Sequence, residues 1–321
     1  MNPIYVDTAR LLTQIAPLVL VDDTFALKGG TAINLFVRDM PRLSVDLDLV
    51  FPDYTLPREQ ALARINEAIR QAAARLNTRG FQTRAVTATD AGETKLLVRR
   101  GGIEVKVEVN FVMRGTVNPV RRATLTSNAR DALLADLEIP VVSLEDMYGG
   151  KLAAAMDRQH PRDLFDVMQL LAHEGITHSI RRAFVVYLAS HNRPIHEVLF
   201  ASPRDIQPDY AHNFQGMTAE PVPLEALLAT RERLMREFQQ GLDADERRFL
   251  LSLAEGAPEW SRLDIAHLEH LPGIRWKLHN LKQLQKTNTR KFAEQTEALA
   301  SRLESVTPDT TVSQAPSSGS I

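Results

Sequence analysis

The sequence predicts an α+β fold: a mixed β-sheet core flanked by helices, followed by an all-helical C-terminal region. Three observations predict it. Residues 43–51 (LSVDLDLVF) and 103–112 (IEVKVEVNFV) alternate apolar and polar with the period of two expected of half-buried strands. Short strand and helix patterns alternate through residues 1–142. From Ser143 onward the pattern is helical.

Each element has its own signal. Phe25, Ala26 and Leu27 form a short apolar run ending at Gly29 and Gly30, and residues 31–37 read as a helix. Pro57 opens an Ala/Arg/Glu/Gln-rich helix that runs to about Asn77, a position proline suits in the first turn. Gly80 follows as a stop. Residues 81–89 and 94–100 read as strands. Gly101 and Gly102 make a hairpin turn into 103–112, and a further short strand fits 139–142. Ser143 with Asp146 three residues on resembles a capping arrangement. Helices are predicted at 143–156, 161–174 and 178–190, with weaker patterns at 195–200, 223–240, 244–254 and 277–303. The chain thus divides into a core (1–142), a helical domain (143–305) and a Ser/Thr/Pro-rich tail (306–321) predicted to be disordered.

Composition narrows the chemistry. The 321 residues suit about two domains. A hydrophobic share of 44% is ordinary for a globular protein, and no apolar run reaches the length of a membrane span. There is no cysteine, which excludes disulfides, thiolate catalysis and Cys-ligated zinc. The N-terminus lacks the basic and apolar regions of a signal peptide, so a cytoplasmic location is expected. Lys+Arg 38 against Asp+Glu 40 gives a net charge of -2, which argues against a globally basic nucleic-acid binder.

Three constellations carry chemistry. On a strand over 43–51, Ser44, Asp46 and Asp48 share one face. Two carboxylates so placed repel each other unless a cation sits between them, and Mg²⁺ takes carboxylate together with phosphate oxygens. Alone, such a pair is a solvated strand face. Its context is Lys28-Gly29-Gly30-Thr31, a strand-to-helix turn about fifteen residues earlier. Glycines there allow an anion close to the backbone, and helix-start N–H groups favour phosphate. The second constellation is the polar face of 103–112, where Glu104 and Glu108 are both open as a third carboxylate. The third spans Lys151, Arg158, Arg162, Asp163 and Asp166. Gly149 and Gly150 cost that helix about 1 kcal/mol each, which implies a close approach or a late helix start.

Together these segments resemble the nucleotidyltransferase toxin family of AbiEii/MenT type, within the DNA-polymerase-β-like superfamily. The resemblance rests on L-K-G-G-T-A (27–32), R-L-S-V-D-L-D (42–48), V-K-V-E-V-N (105–110), K-L-A-A-A-x-x-R (151–158) and R-D-L-F-D (162–166), and covers roughly 24–172. Thr31 stands where many members have Ser. The resemblance implies a nucleotidyltransferase core that uses an NTP and one or two Mg²⁺ ions. Asp46, Asp48 and Glu108 would hold the metal, with Glu108 favoured over Glu104 by its place in the motif. Gly29, Gly30, Thr31 and Ser44 would hold phosphates, Lys151 would neutralise triphosphate charge, and Asp163 would be the distal catalytic acid, with Arg158 and Asp166 in support. It also implies a tRNA 3′ end or other RNA as acceptor and a cognate antitoxin. Residues 271–291 add six Lys/Arg, no acid and Trp276, with Lys282 and Lys286 on one helix face, a stripe suited to RNA. Two other readings are a transferase that modifies a protein hydroxyl and a nucleotide-binding module without turnover.

Overall fold

The computed structural model describes residues 3–88 and 93–306. Seven strands form one mixed sheet: β1 (Ala26–Lys28), β2 (Asp46–Val50), β3 (Gln82–Ala88), β4 (Glu93–Arg100), β5 (Ile103–Asn110), β6 (Arg121–Thr124) and β7 (Glu138–Val141). Their spatial order is β3-β4-β5-β2-β1-β7-β6. The meander β3-β4-β5 is antiparallel, β2 lies parallel to β5, and β1 runs antiparallel to β2 but parallel to β7. The fold is therefore α+β with a mixed sheet, as the alternating patterns predict.

The sheet has one apolar face. Leu47, Leu49, Leu96, Val98, Val105, Val107 and Val109 are fully buried. Two helices cover them, α1 (Pro3–Val19) and α3 (Arg58–Thr78). In α3 the buried residues Ala61, Ile65, Ile69, Ala72 and Leu76 recur every three or four positions, the stripe a sheet-covering helix needs. Pro57 stands just before α3 as its cap residue. The opposite face carries Asp46, Asp48, Lys106 and Glu108.

The remaining helices build the second half. After α2 (Gly29–Phe36) and α4 (Ser127–Leu133) come α5 (Leu144–Arg158), α6 (Pro161–Ala172), α7 (His178–Ala189), α8 (Ile195–Leu199), α9 (Gln207–Asn213), α10 (Leu224–Gly241), α11 (Ala244–Ala254), α12 (Pro272–Thr287) and α13 (Thr289–Ser305). One contiguous apolar cluster runs from α1 to Leu303, so the sheet and the helices share a core. Ser143 caps α5 by accepting the Asp146 N–H at 3.1 Å. The Asp146 carboxylate then receives the Val117 and Asn118 N–H groups and the Tyr187 hydroxyl, which fastens the loop after β5 to α5 and α7.

Several expectations change. The N-terminal segment is a helix. The strand expected from residue 43 begins at Asp46, because residues 42 and 43 pair instead with Thr218 and Met217 of the helical half. The single helix expected over 277–303 divides at Asn288, whose side chain caps α13 by accepting the Lys291 N–H. β6, α4 and α9 carry too little buried apolar surface to show a pattern: β6 is mostly exposed and α9 buries no residue. The predicted tail lies outside the described residues from position 307 onward, as does position 89.

The glycine pair in α5 marks a close approach. A Cβ on Gly149 would stand 2.9 Å from the Ala183 backbone of α7, whereas one on Gly150 would make ordinary contact with Tyr187. Gly149→Ala is therefore expected to lower stability by about 1–3 kcal/mol through overpacking, and Gly150→Ala to be neutral or stabilising. Urea unfolding of the two variants measures both.

Candidate active site

The site begins at the β1–α2 turn. Gly29 has φ +73°, a left-handed conformation in which a side chain is strained, and a Cβ there would meet Asp48 Oδ2 at 2.5 Å. A Cβ on Gly30 would meet Arg42 Nη2 at 2.6 Å and Ser44 Oγ at 3.0 Å. The two glycines therefore admit protein groups as well as any ligand: they let the acid strand close onto the start of α2. The cap residue of α2, Lys28, makes no side-chain cap bond.

Strand register places the acids. In the parallel β2–β5 pair, Asp48 faces Glu108 and Asp46 faces Lys106. Asp46, Asp48 and Glu108 thus share one side of the sheet, next to Lys28, which faces Asp48 across β1–β2. Glu104 lies two positions beyond the β2 pairing and forms an ion pair with Arg99 instead. Burial pushes the Asp46 carboxyl above its usual range, and the charges of Asp48 and Glu108 add to this against Lys106 and Arg162. Glu108 lies 3.3 Å from Lys95 Nζ and 3.9 Å from Lys106 Nζ. Hard carboxylate oxygens crowded enough to disfavour ionisation of one of them suit a divalent cation. Asp46, Asp48 and Glu108 are the residues that could hold it.

Behind the acids lies a closed ion network. Arg42 donates to both oxygens of Asp166, at 2.7 and 2.6 Å. Asn34 Nδ2 donates to Asp166 at 3.0 Å and to the Gly30 carbonyl at 2.9 Å. Lys151 Nζ lies 2.9 Å from both Asp163 and Asp166. Arg158 donates to both oxygens of Asp163, at 2.5 and 3.0 Å. Burial works against each charge, but the partners outweigh it. Lys151 and Arg158 hold the Asp163 carboxyl far below the usual range, Arg42 and Lys151 lower that of Asp166, and the two acids raise the Lys151 ammonium. Arg42, Lys151 and Arg158 against Asp163 and Asp166 are three positive charges against two negative. One positive charge is in excess, and Arg158, with a side chain 61% exposed, carries it toward solvent.

Asp48 and the network meet at a cleft of about 360 Å³, whose walls include Lys28, Gly29, Asp48, Lys151, Arg158 and Arg114. Thr31 does not open onto it. Its side chain is buried, and its hydroxyl donates to the Asp46 carbonyl and lies 2.9 Å from Ser44 Oγ. The expectation of Thr31 as a phosphate donor is therefore corrected: it ties α2 to β2. Lys151 and Asp163 are likewise committed to each other, and Arg162 takes no part in the network.

Two network members escaped the sequence reading. Arg42 falls on the period of two that joins 42, 44, 46 and 48, and Asn34 is a polar side chain inside an apolar helix, four residues after Gly30. Either signal marks a polar group aimed inward. The basic stripe shrinks in turn. Lys277 is buried, donating to the His191 and Arg193 carbonyls at 2.9 and 2.6 Å, with burial pushing its pKa down to about 8. Arg290 pairs with Glu294. Lys282, Lys286 and Trp276 remain exposed. Elsewhere, His178, Asp243 and Glu246 bring ligand atoms within 4.8 Å of one another. There Asp243 and Glu246 form the capping box of α11 and Arg181 donates to Glu246, so protein groups already answer those charges.

Carboxylates on adjacent strands of a mixed sheet, beside a glycine turn and a cleft lined by Lys28, Lys151 and Arg158, fit a nucleotidyltransferase. A family model described as "Nucleotidyl transferase AbiEii toxin, Type IV TA system" matches residues 10–280. The chain belongs to this family of nucleotidyltransferase toxins. Among solved structures, MenT4, a nucleotidyltransferase toxin from Mycobacterium tuberculosis H37Rv, shares the fold with TM-score 0.57 and 22% identity over 86% of this chain and 94% of that one. No curated protein sequence matches. Family membership implies an NTP substrate and an antitoxin partner. No helix among the described residues is long and apolar enough to cross a membrane.

Two measurements check the network. Asp166→Asn leaves Arg42 and Lys151 short of a buried counter-charge and is expected to cost roughly 3–5 kcal/mol in urea unfolding. The second is the stability difference between wild type and Asp163→Asn across pH. A carboxyl with a lowered folded pKa binds fewer protons folded than unfolded, so its contribution is fully present above the unfolded value of about 3.9. The difference is therefore expected to be flat from about pH 5 to 9 and to shrink below about pH 4, as pH falls toward the lowered value. The raised Lys151 acts at the other end: its part is lost only as pH rises beyond about 10.4.

Proposed function

We propose that the protein is a Mg²⁺-dependent toxin that transfers a nucleoside monophosphate from an NTP to an RNA acceptor, the tRNA 3′ end, and so blocks translation. The observation that carries this reading is the juxtaposition of Asp46, Asp48 and Glu108 with the net-positive Arg42–Lys151–Arg158 network beside one cleft. A cation held by these acids would have phosphate oxygens of an NTP in the cleft to complete its shell, beside groups that favour the rest of a triphosphate.

The division of labour follows. The acceptor hydroxyl oxygen bonds to the α-phosphorus as the bond to the β-phosphate oxygen breaks; pyrophosphate leaves and the hydroxyl proton is released. One or two Mg²⁺ ions held by Asp46, Asp48 and Glu108 would lower the acceptor pKa and stabilise both oxygens of the in-line displacement. Arg158, exposed at the cleft, counters charge on the departing phosphates. Gly29, at the cleft, would admit phosphate at the start of α2, with Gly30 and Ser44 packed behind it. Asp163 and Asp166 act as positioning residues: they fix Lys151, Arg42 and Arg158. The core (1–142) supplies metal and nucleotide contacts, and the helical domain (143–305) supplies most of the cationic wall and part of the acceptor surface. A cytoplasmic location fits this substrate.

The test is label transfer. Each labelled NTP is incubated with Mg²⁺, total RNA and cell lysate, with Asp48→Ala beside wild type. Asp48-dependent label in tRNA is expected, with the variant at least 10²-fold slower. Label confined to protein would favour a protein hydroxyl as acceptor, and no Asp48-dependent label would overturn transfer. In cells, expression of wild type is expected to slow growth and Asp48→Ala to relieve it. Equal growth of the two strains would exclude toxicity through this site.

A further inference from the structure

A second cleft, of about 500 Å³, opens beside the catalytic one, and its walls include Tyr54, Arg58, Arg114, Arg275, Trp276 and His279. Three features set it apart. First, it is mainly cationic: among the described residues no carboxylate lines it and Arg58, Arg114 and Arg275 make no ion pair, and the carboxylate whose charge acts on Arg114 is that of Asp53. Second, it offers flat faces. Trp276 is 42% exposed and stacks on His279 at 5.6 Å. Tyr54 stacks on His267 at 4.7 Å, and His267 Nε2 lies 2.9 Å from the Thr116 carbonyl, which fixes that stack to the loop after β5.

Third, Arg114 is 6% exposed, and its Nε donates to the Phe111 carbonyl, but its Nη1 is buried without a partner. The residue is held firmly. Asn110 Oδ1 accepts the Val112 and Met113 N–H groups at 2.8 and 2.9 Å, turning the chain sharply after β5. A Cβ on Gly115 would stand 2.9 Å from Tyr54 and 3.0 Å from Leu271, so the loop is pressed between both walls. Arg114 lines both clefts. An arginine N–H buried without a partner is costly, and a guanidinium stays charged. An anion at the shared wall would relieve both the missing bond and the charge.

We propose that this cleft is the acceptor subsite: it takes the single-stranded 3′-terminal segment of an RNA, with one backbone phosphate on Arg114 and a base on Trp276. The inference rests on the transfer reading above. Arg58 and Arg275 flank the phosphate track, and the wall shared with the catalytic cleft delivers the terminal hydroxyl toward Asp48. A duplex fits poorly, because its bases are already stacked on one another and offer no free face.

The test uses Trp276 as reporter. The chain has two tryptophans, and Trp260 packs on Phe249, so Trp260→Phe leaves Trp276 as the sole tryptophan, read by selective indole excitation. Titration with a six-nucleotide single-stranded RNA is expected to quench it, and a blunt RNA duplex to bind at least tenfold more weakly. In the otherwise wild-type chain, Trp276→Ala and Arg275→Glu, both on the surface, are each expected to weaken oligonucleotide binding roughly tenfold while NTP binding stays unchanged. Arg114→Gln is expected to reduce the salt slope of binding by about one. Wild-type affinity in both surface variants, equal binding of duplex, or an acidic peptide that quenches Trp276 as tightly as RNA would overturn the subsite. Labelling of RNA at an unchanged KM by Trp276→Ala would overturn it and leave transfer standing. Trp276-dependent RNA binding without label transfer would overturn transfer and leave the subsite standing.

Discussion

The two bonds from Arg42 to Asp166 join a segment leading into the sheet to a helix of the second half, and the rest of the site depends on that join. Both side chains are buried, and a buried charge without a partner costs several kcal/mol. Asp166 must therefore find Arg42, Lys151 and Asn34 together. Asn34 and Arg42 come from the sheet half, Lys151 from α5 and Asp166 from α6. The network can be complete only when all four segments are in place. That condition sets the height of Arg158 above the cleft, and it holds Gly30 against the strand carrying Asp46.

The electrostatics separate into a closed layer and an open one. Inside, Asp163 and Asp166 are each answered by two cations through short, directional bonds, and one positive charge is left over on Arg158. Outside, Asp46, Asp48 and Glu108 stand together with their repulsion only partly answered by Lys95, Lys106 and Arg162. The closed layer gives the open one a rigid positive backing at little cost in reorganisation, which is what electrostatic preorganisation requires.

Much of this was legible in the sequence because strands read directly. The period of two in 43–51 and 103–112 places Asp46, Asp48 and Glu108 on one face, and the β2–β5 register separates Glu108 from Glu104. Interior ion pairs were harder to see. Lys151 on a helix looks like any surface lysine until the partner helix is docked, and Asp163 and Asp166 look like acids suited to a first turn. Arg42 and Asn34 announced themselves only as polar residues on the inward side of a pattern. Elements without an apolar stripe, such as β6 and α9, left no trace. The count of positive residues in 271–291 misled for a related reason: composition cannot tell a solvated lysine from one that caps carbonyls in the interior.

That last lysine has a wider meaning. Trp276 and Lys277 are neighbours on α12, one facing outward and the other plugged into the carbonyls that follow α7. A slip of the helix by one residue would take the ammonium away from its two carbonyl acceptors and carry the exposed indole toward the interior. Lys277 therefore works as an indexing pin. It fixes the rotational setting of α12 so that the aromatic face and the Tyr187-bearing helix beside the first cleft are mutually aligned, and the distance between the two clefts is set in the interior, away from anything that binds.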